Sequence, residues 1–273
     1  MRKCRTVGWA VLAVVGSLTT PAAADEIKTR AAARAALTKY KDAVVTVRLA
    51  LKRRWVMQGK EGGSMDSSME IAGTVLTPAG LTVVSDFDSN PMPSMPNEGG
   101  EGPKMETETT DVKILTRDGR ERPARFVLRD SELDLAFLLP EEKGLTLPHV
   151  PLEKGALPEA LDDVVVMYPL GPSLGREIAV VRGQVRAVVK KPRSFVVFDP
   201  MIGLQGLGCP AFDEAGRAVG VVVLRRTTNL PQGSGGGMRE FFDFFQPVIL
   251  TATDVQEVAA QVGKAEARPE AKP

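Results

Sequence analysis

Histidine, cysteine and aromatic residues are scarce in this chain of 273 residues, which has one His, two Cys and 5% aromatic residues. A mechanism that needs an imidazole base therefore has a single candidate, His149. Cys4 lies in an N-terminal segment that is expected to be removed, which leaves Cys209 as the one cysteine of the mature chain. One cysteine excludes an internal disulfide, so the fold must be held together by its core.

The chain also has no strong excess of charge. It carries 35 Lys and Arg against 34 Asp and Glu, a formal net charge of +1. Loss of residues 1–24 would remove three basic residues and no acidic one, and would change the net charge to −2. A near-neutral chain without a dense basic run argues against nucleic acid as a partner.

Long apolar runs are missing apart from Val7–Leu18, which is too short to span a membrane as a stable anchor. Basic residues precede this run, and the small residues Ala22–Ala24 follow it. This order is typical of a cleaved secretory signal, with cleavage expected after Ala24. The mature protein is then periplasmic or secreted and has no membrane span. An uncleaved N-terminal anchor is the alternative.

The remaining chain reads mainly as short strands separated by turns. Residues 25–40 form a predicted N-terminal helix, and about a dozen β-rich runs follow, which indicates an all-β barrel or sandwich. Residues 58–68 read as a polar, glycine-rich loop, and residues 89–110 as an inserted mobile loop. Residues 263–273 are a charged, disordered tail in this interpretation.

The segment Gly203–Gly220 reads as a tight glycine loop, a strand entered at Pro210, a turn and a second strand. It resembles the loop Gly-Asn-Ser-Gly-Gly-Pro-Leu of trypsin-like serine proteases of the Deg/HtrA type. Counting back from Pro210, the position of the nucleophilic serine falls on Leu207. The resemblance implies an oxyanion loop made of Gln205, Gly206, Leu207 and Gly208.

Two further segments resemble the same family. Gly80–Phe87 overlays Gly-Tyr-Ile-Leu-Thr-Asn-Asn-His, which places the catalytic histidine position on Phe87, or on Asp86 if the loop slips by one residue. Arg129–Leu139 resembles Arg-Asp-Pro-x-x-Asp-Leu-Ala-Leu-Leu, so Asp134 matches the aspartate that orients the histidine.

The resemblance covers about residues 41–262 and implies two six-stranded chymotrypsin-like antiparallel β-barrels, at about 41–145 and 155–250, with a terminal helix at 253–262. Nothing in the sequence resembles the PDZ domain that many Deg/HtrA proteases carry. The interface of the two barrels is expected near Phe87, Asp134 and Leu207.

Of the three catalytic positions, Asp134 alone carries the family residue. Phenylalanine cannot take a proton and leucine cannot attack a carbonyl, so the chain is interpreted as a pseudoprotease. Asp134 would then serve as a buried acceptor for backbone N–H groups. The family's peptide groove maps to Val221, Val223 and Arg225, which predicts a peptide or protein partner and neither a cofactor nor a metal.

Several alternatives remain open at the level of sequence. An active hydrolase would use rearranged groups, for instance Asp86 or Asp88 with Asp134. Cys209 directly precedes Pro210, a position at which the family has glycine, and His149 follows Asp134 in the connection between the barrels. These placements favour a buried cysteine and a non-catalytic histidine. Methionines between residues 57 and 105 offer a weak Cu(I) pattern without an accompanying histidine.

Overall fold

The structure, a computed structural model, describes residues 21–57, 60–89, 104–152, 157–191, 193–226 and 245–266. These residues are mostly β, with thirteen strands in two lobes and a helix at each end. Residues 1–20 of the predicted signal, residues 90–103 of the predicted insertion and residues 267–273 of the predicted tail lie outside the described part.

The first lobe is a closed six-stranded barrel, as predicted. Its strands pair in the order β1-β2-β3-β6-β5-β4, and β4 returns to pair with β1, so that Leu49 faces Val112. Apolar residues at alternate positions, such as Val47, Leu49 and Leu51 of β1, fill the interior. The strands are β1 (Val44–Met57), β2 (Lys60–Val75), β3 (Thr82–Ser85), β4 (Lys104–Leu115), β5 (Glu121–Asp130) and β6 (Leu135–Pro140).

The segment predicted as a polar loop at 58–68 is largely strand. β1 and β2 pair without interruption from Val44 and Thr74 to Met57 and Lys60, with one irregularity next to Trp55. β4 pairs along the other side of β1 from Lys104. The prediction was wrong because pairing satisfies the backbone of β2 whatever its side chains are, and this outweighs the low strand propensity of glycine and serine.

The second lobe is an open sheet of seven strands and not the predicted closed six-stranded barrel. Its order is β8-β7-β11-β12-β13-β10-β9. The strands are β7 (Asp163–Pro169), β8 (Ile178–Gln184), β9 (Ala187–Val189), β10 (Phe195–Val197), β11 (Pro210–Phe212), β12 (Ala218–Arg226) and β13 (Phe245–Thr251).

The extra strand arises because the segment 178–189 bends between β8 and β9. The Val185 N–H donates to the carbonyl of Asp162 at 2.8 Å, and the Arg186 N–H donates to the carbonyl of Val197 at 2.8 Å. The chain therefore leaves β7 and joins β10 two residues later. As a result, β8 and β9 become the two edges of the sheet.

Helices flank both lobes. Helix α1 (Pro21–Tyr40) ends with the Tyr40 ring stacked on Phe212 of β11, with ring centroids 5.2 Å apart. Two short helices, α2 (Asp86–Ser89) and α3 (Pro200–Gln205), lie within the lobes. The last helix, α4 (Ala252–Glu266), buries Val255, Val258 and Val262 at helical spacing. Among the helices of the described residues, none has the length and apolar character needed to cross a bilayer.

Candidate functional site

Asp134 lies at the centre of the contact between the lobes. It occupies the turn before β6 with φ 57°, a left-handed conformation that aspartate tolerates better than most residues. The residue is 1% exposed. Its carboxylate accepts hydrogen bonds from the Ser85 hydroxyl at 2.9 Å, from the Phe87 N–H at 2.7 Å and from the Leu224 N–H at 2.6 Å. These bonds confirm the prediction of a buried acceptor for backbone N–H groups, and they join both lobes at one carboxylate.

Burial sets the protonation of this carboxylate. Loss of solvation raises the pKa of Asp134 to about 6, while the N–H groups of Leu224 and Phe87 and the Ser85 hydroxyl oppose the rise. The negative charge of Asp86 adds to the increase. Asp134 is therefore mostly ionised at neutral pH and is occupied by donors from three elements.

Phe87 stands next to Asp134 in the one-turn helix α2, which follows β3 directly. Its backbone contacts the carboxylate, whereas its ring packs at a tilt against Phe245 of β13, with centroids 5.6 Å apart. The phenyl ring has no nitrogen to accept or donate a proton. This position therefore has no general base.

The two neighbouring aspartates in α2 differ in their surroundings. Asp86 is buried and accepts from the Arg129 guanidinium and the Ser131 hydroxyl, both at 2.7 Å. Asp88 is half-buried, and its carboxylate forms no hydrogen bond or ion pair with the residues that the structure describes. Burial, reinforced by the charge of Asp134, raises the pKa of Asp88 to about 7.

The glycine loop of the second lobe follows helix α3, whose N-terminus is capped by the Asp199 carboxylate. Gln205 is the last residue of this helix, and its side-chain oxygen accepts from the Tyr168 hydroxyl at 2.7 Å. Gly206, Leu207 and Gly208 follow, all buried, with Leu207 3% exposed. The position predicted for a nucleophile thus holds an inert side chain with little access to solvent.

The glycine loop docks directly on the barrel of the first lobe. The Gly208 carbonyl accepts from the Thr74 hydroxyl at 2.8 Å, and its N–H donates to the Val222 carbonyl at 2.8 Å. Gly208 has φ +78°, and a Cβ there would lie 2.7 Å from the Ala72 carbonyl oxygen. Only glycine fits both the conformation and the space.

A cavity of about 220 Å³ opens beside this contact. Asp88 and Leu207 both line it, together with Gln205 and with Ile71 and Ala72 of β2. The structure therefore brings the neighbourhoods of Phe87, Asp134 and Leu207 together where the lobes meet. Ser85, Thr74 and Leu224 complete this site, and sequence reasoning missed them because their roles depend on long-range hydrogen bonds.

Cys209 is fully buried behind the glycine loop. Its N–H donates to the Gly206 carbonyl at 2.9 Å, and burial, helped by the charge of Asp88, raises the pKa of its thiol. The thiolate is the reactive form of cysteine, so this thiol is expected to be unreactive in the folded protein.

We therefore expect iodoacetamide to leave Cys209 unmodified in the native protein and to alkylate it once urea unfolds the chain. Peptide mapping by mass spectrometry reports the extent of modification at this residue. A Ser173→Cys variant provides the control, because Ser173 is exposed and a thiol there should react at once. Equally fast alkylation at both positions in the native state would contradict the burial of Cys209.

The three residues of the predicted peptide groove differ in their exposure to solvent. Val221 and Val223 are buried in the core, so their side chains are not available to a ligand. Arg225 is exposed, and its guanidinium lies over the Phe195 ring, 4.8 Å from the centroid. A peptide at this place would contact the backbone of β12 and Arg225.

His149 lies in the connection between the lobes. It is half-buried, with Nδ1 3.4 Å from the Leu147 carbonyl oxygen. The neighbouring Val150 N–H donates to the Val75 carbonyl at 2.9 Å. Among the described residues no cluster of three or more His, Cys, Asp or Glu has the arrangement of a metal site.

Two β lobes that meet at a buried aspartate, with a glycine loop beside it, define the architecture of a chymotrypsin-like protein. The family model of the trypsin-like peptidase domain matches residues 74–221, more than half of the chain. The chain belongs to this family, and its homologues are proteases of the HtrA/Deg type.

One such relative is "Protease Do-like 2, chloroplastic" of Arabidopsis thaliana, which is 31% identical over 121 residues. The match covers 41% of this chain and 19% of that protein, so the chain spans a minor part of its relative.

Solved structures show the same fold. A variant of the HtrA-type protease AlgW with a decapeptide has a TM-score of 0.55 at 17% identity, and the match covers 85% of this chain and 67% of that one. AlgW itself with a decapeptide has a TM-score of 0.52 at 17% identity, with coverage of 85% and 68%.

Proposed function

We propose that the chain is an exported, non-catalytic member of the trypsin-like peptidase family that binds a peptide or protein segment and acts by binding, for instance as a regulator of proteolysis. The observation that carries this proposal is the hydrogen bonding of Asp134. Its carboxylate accepts from the Phe87 backbone N–H, which supports the assignment of Phe87 to the histidine position, and Phe87 carries a phenyl ring.

The lost nucleophile supports the same proposal. Leu207, which the resemblance assigns to the serine position, is buried and has no atom that can attack a carbonyl. Cys209, two residues further on, is buried with a raised thiol pKa. A triad needs base and nucleophile together, and the proposed site has neither.

The loop that would bind an oxyanion has an unsuitable conformation as well. Gln205, the first residue of the predicted oxyanion loop, ends helix α3. In an α-helix the N–H of each residue points to the carbonyl four residues earlier, which for Gln205 is that of Met201. The N–H is thus directed into the helix, away from a substrate in the cleft.

Peptide binding is supported by a free strand edge. Within the described residues, β12 pairs with β13 as far as Arg226, but with β11 only from Ala218 to Val221. The N–H and the carbonyl of Val222 already bond to Cys209 and Gly208, and the Leu224 N–H bonds to Asp134. The edge that remains for an extended peptide therefore begins at the Leu224 carbonyl and reaches Arg226. The similar HtrA-type structures contain a decapeptide or a tripeptide. The exposed Arg225 would favour an acidic group near this edge.

The alternative is a hydrolase with rearranged residues. It is favoured by Asp88, a carboxyl without a partner among the described residues whose pKa of about 7 suits acid–base work. Asp134, the second member of such a pair, is already occupied by three donors. We therefore rank this function second.

A turnover assay separates the two functions. We expect no cleavage of casein or of a fluorogenic peptide library above the buffer blank, with trypsin as the positive control for the substrates. Cleavage by the wild-type protein that Asp88→Asn or Cys209→Ala abolishes would establish an enzyme and overturn the proposal. The Asp134→Ala variant is included with a circular dichroism spectrum, so that loss of fold is not mistaken for loss of chemistry.

A further inference from the structure

The cavity between the lobes contains one acidic group with an unsatisfied charge. Its walls include two carboxylates, those of Glu70 and Asp88. Glu70 is neutralised, because the Arg176 guanidinium contacts it at 2.7 and 2.8 Å and Arg48 contacts it at 3.1 Å. Asp88 has no such partner among the described residues.

The charged groups around Asp88 do not neutralise its carboxylate. The ionised Asp134 lies close enough to raise the pKa of Asp88. Asp86 is neutralised by Arg129 at 2.7 Å, and the buried Cys209 thiol is uncharged. A half-buried carboxylate without a counter-ion is unfavourable, so a ligand that supplies a positive charge would gain a charge-assisted hydrogen bond.

Thr46 and Gln205 add polar groups to the cavity, and apolar side chains form the rest of its walls. Ile71 and Ala72 come from β2, Leu207 from the glycine loop, and Pro169 and Leu170 from the end of β7. Lysine and arginine have an apolar stem and a charged end, and they bury the stem along such surfaces. A metal ion fits less well, since calcium and magnesium require several oxygen ligands and this cavity offers one free carboxylate.

We propose that this cavity receives a lysine or arginine side chain of the bound peptide or protein, with Asp88 pairing its cation. The inference rests on the proposed function, because it gives the chemistry of one residue of the ligand. It also gives a role to Leu207, the residue at the position of the serine, because its side chain would contact the apolar stem of the ligand. Asp88 thereby becomes a specificity-determining residue.

The pairing has a defined pH dependence. Asp88 binds a cation in its ionised form, and its pKa in the free protein is about 7. Affinity for a lysine-containing peptide should therefore rise by about tenfold in total between pH 6 and pH 8, as the ionised fraction of Asp88 rises from about one tenth to about nine tenths. The charged groups around Asp88, namely Asp134, Asp86 with Arg129, and Glu70 with Arg48 and Arg176, are common to the wild type and its Asp88 variant.

An array of acetylated, amidated octapeptides, screened with the purified protein, provides the test. For each binding peptide, every Lys is replaced in turn by norleucine, which keeps the stem and removes the charge, and every Arg by citrulline. At one position we expect the replacement to weaken binding by about tenfold or more in the wild type at pH 8. The Asp88→Asn variant should bind the parent peptide about as weakly as the wild type binds the neutral one. Glu132→Gln, which neutralises an exposed carboxylate, is the matched control and should behave as wild type.

The outcomes distinguish this inference from the proposed function. If no octapeptide binds the wild type, peptide binding fails and the inference fails with it. If peptides bind but the neutral replacements cost nothing, or cost the same in Asp88→Asn, peptide binding stands and the role of Asp88 is wrong. If the neutral replacement weakens binding to the wild type but not to Asp88→Asn, both the peptide-binding function and the role of Asp88 are supported.

Discussion

Replacement of Gly208 by alanine is expected to destabilise the protein by about 3 kcal/mol or more, and to weaken the docking of the two lobes. Two effects add at this residue. Its φ of +78° is a conformation that residues with a Cβ adopt at a cost. An added Cβ would also lie 2.7 Å from the Ala72 carbonyl oxygen and 3.1 Å from the backbone of Val84 and Ser85.

These neighbours make the clash difficult to relieve. They are backbone atoms of β2 and β3, which are paired to each other in the closed barrel. The alternative is withdrawal of the glycine loop, which would lengthen the 2.8 Å hydrogen bond between the Thr74 hydroxyl and the Gly208 carbonyl. Either response disturbs the place where the candidate cleft forms.

Gly119 offers a matched control. It lies in the turn between β4 and β5 with φ +80°, and nothing lies within 4 Å of an added Cβ. Gly119→Ala therefore carries the conformational strain without the clash, at an expected cost of about 1 kcal/mol. Urea unfolding of the wild type and both variants measures the difference. Equal losses for the two variants would show that the approach of the glycine loop to the barrel is looser than described.

The first barrel could be predicted because its residues alternate and its turns are marked locally. The second lobe could not be predicted in the same detail. The bend between β8 and β9 depends on hydrogen bonds from Val185 to Asp162 and from Arg186 to Val197, which no local pattern indicates. The polar strand β2 is likewise fixed by its partner β1 and not by its own composition.

The candidate site, too, could be predicted only in part. Asp134 stands in a motif, so its position as a buried acceptor followed from the sequence. Asp88 was named only as a possible acid of a rearranged hydrolase, because its isolated carboxyl depends on the approach of Leu207 and Asp134 from elsewhere in the chain. The resemblance placed Val221 and Val223 in a groove, yet they lie in the core, because both faces of β12 are covered from Val219 to Leu224.

Asp134→Ala is expected to lower the free energy of unfolding by about 3 kcal/mol or more. The Ser85 hydroxyl and the N–H groups of Phe87 and Leu224 would lose their acceptor in a buried place. Alanine also tolerates φ 57° less well than aspartate does. Asp130→Ala is the control, because among the described residues the Asp130 carboxylate accepts a single 3.1 Å bond, from the Leu133 N–H, and its loss should cost about 1 kcal/mol. Urea unfolding compares the two variants, and equal losses would contradict the central role of Asp134.

The pH dependence of the Asp134→Asn variant tests the same carboxyl independently. Burial raises the pKa of Asp134 from 3.8 to about 6 on folding. A raised pKa means that the folded state holds the proton more tightly, so the stability linked to this proton is fully present below the unfolded pKa and is lost as pH rises through about 6. Asparagine does not titrate, and therefore the deficit of Asp134→Asn relative to wild type should be larger at about pH 4 than at about pH 7. Urea midpoints at both values measure this difference. A deficit that grows toward neutral pH would mean that the donors from Ser85, Phe87 and Leu224 outweigh burial, and that this carboxylate stabilises the fold by its charge.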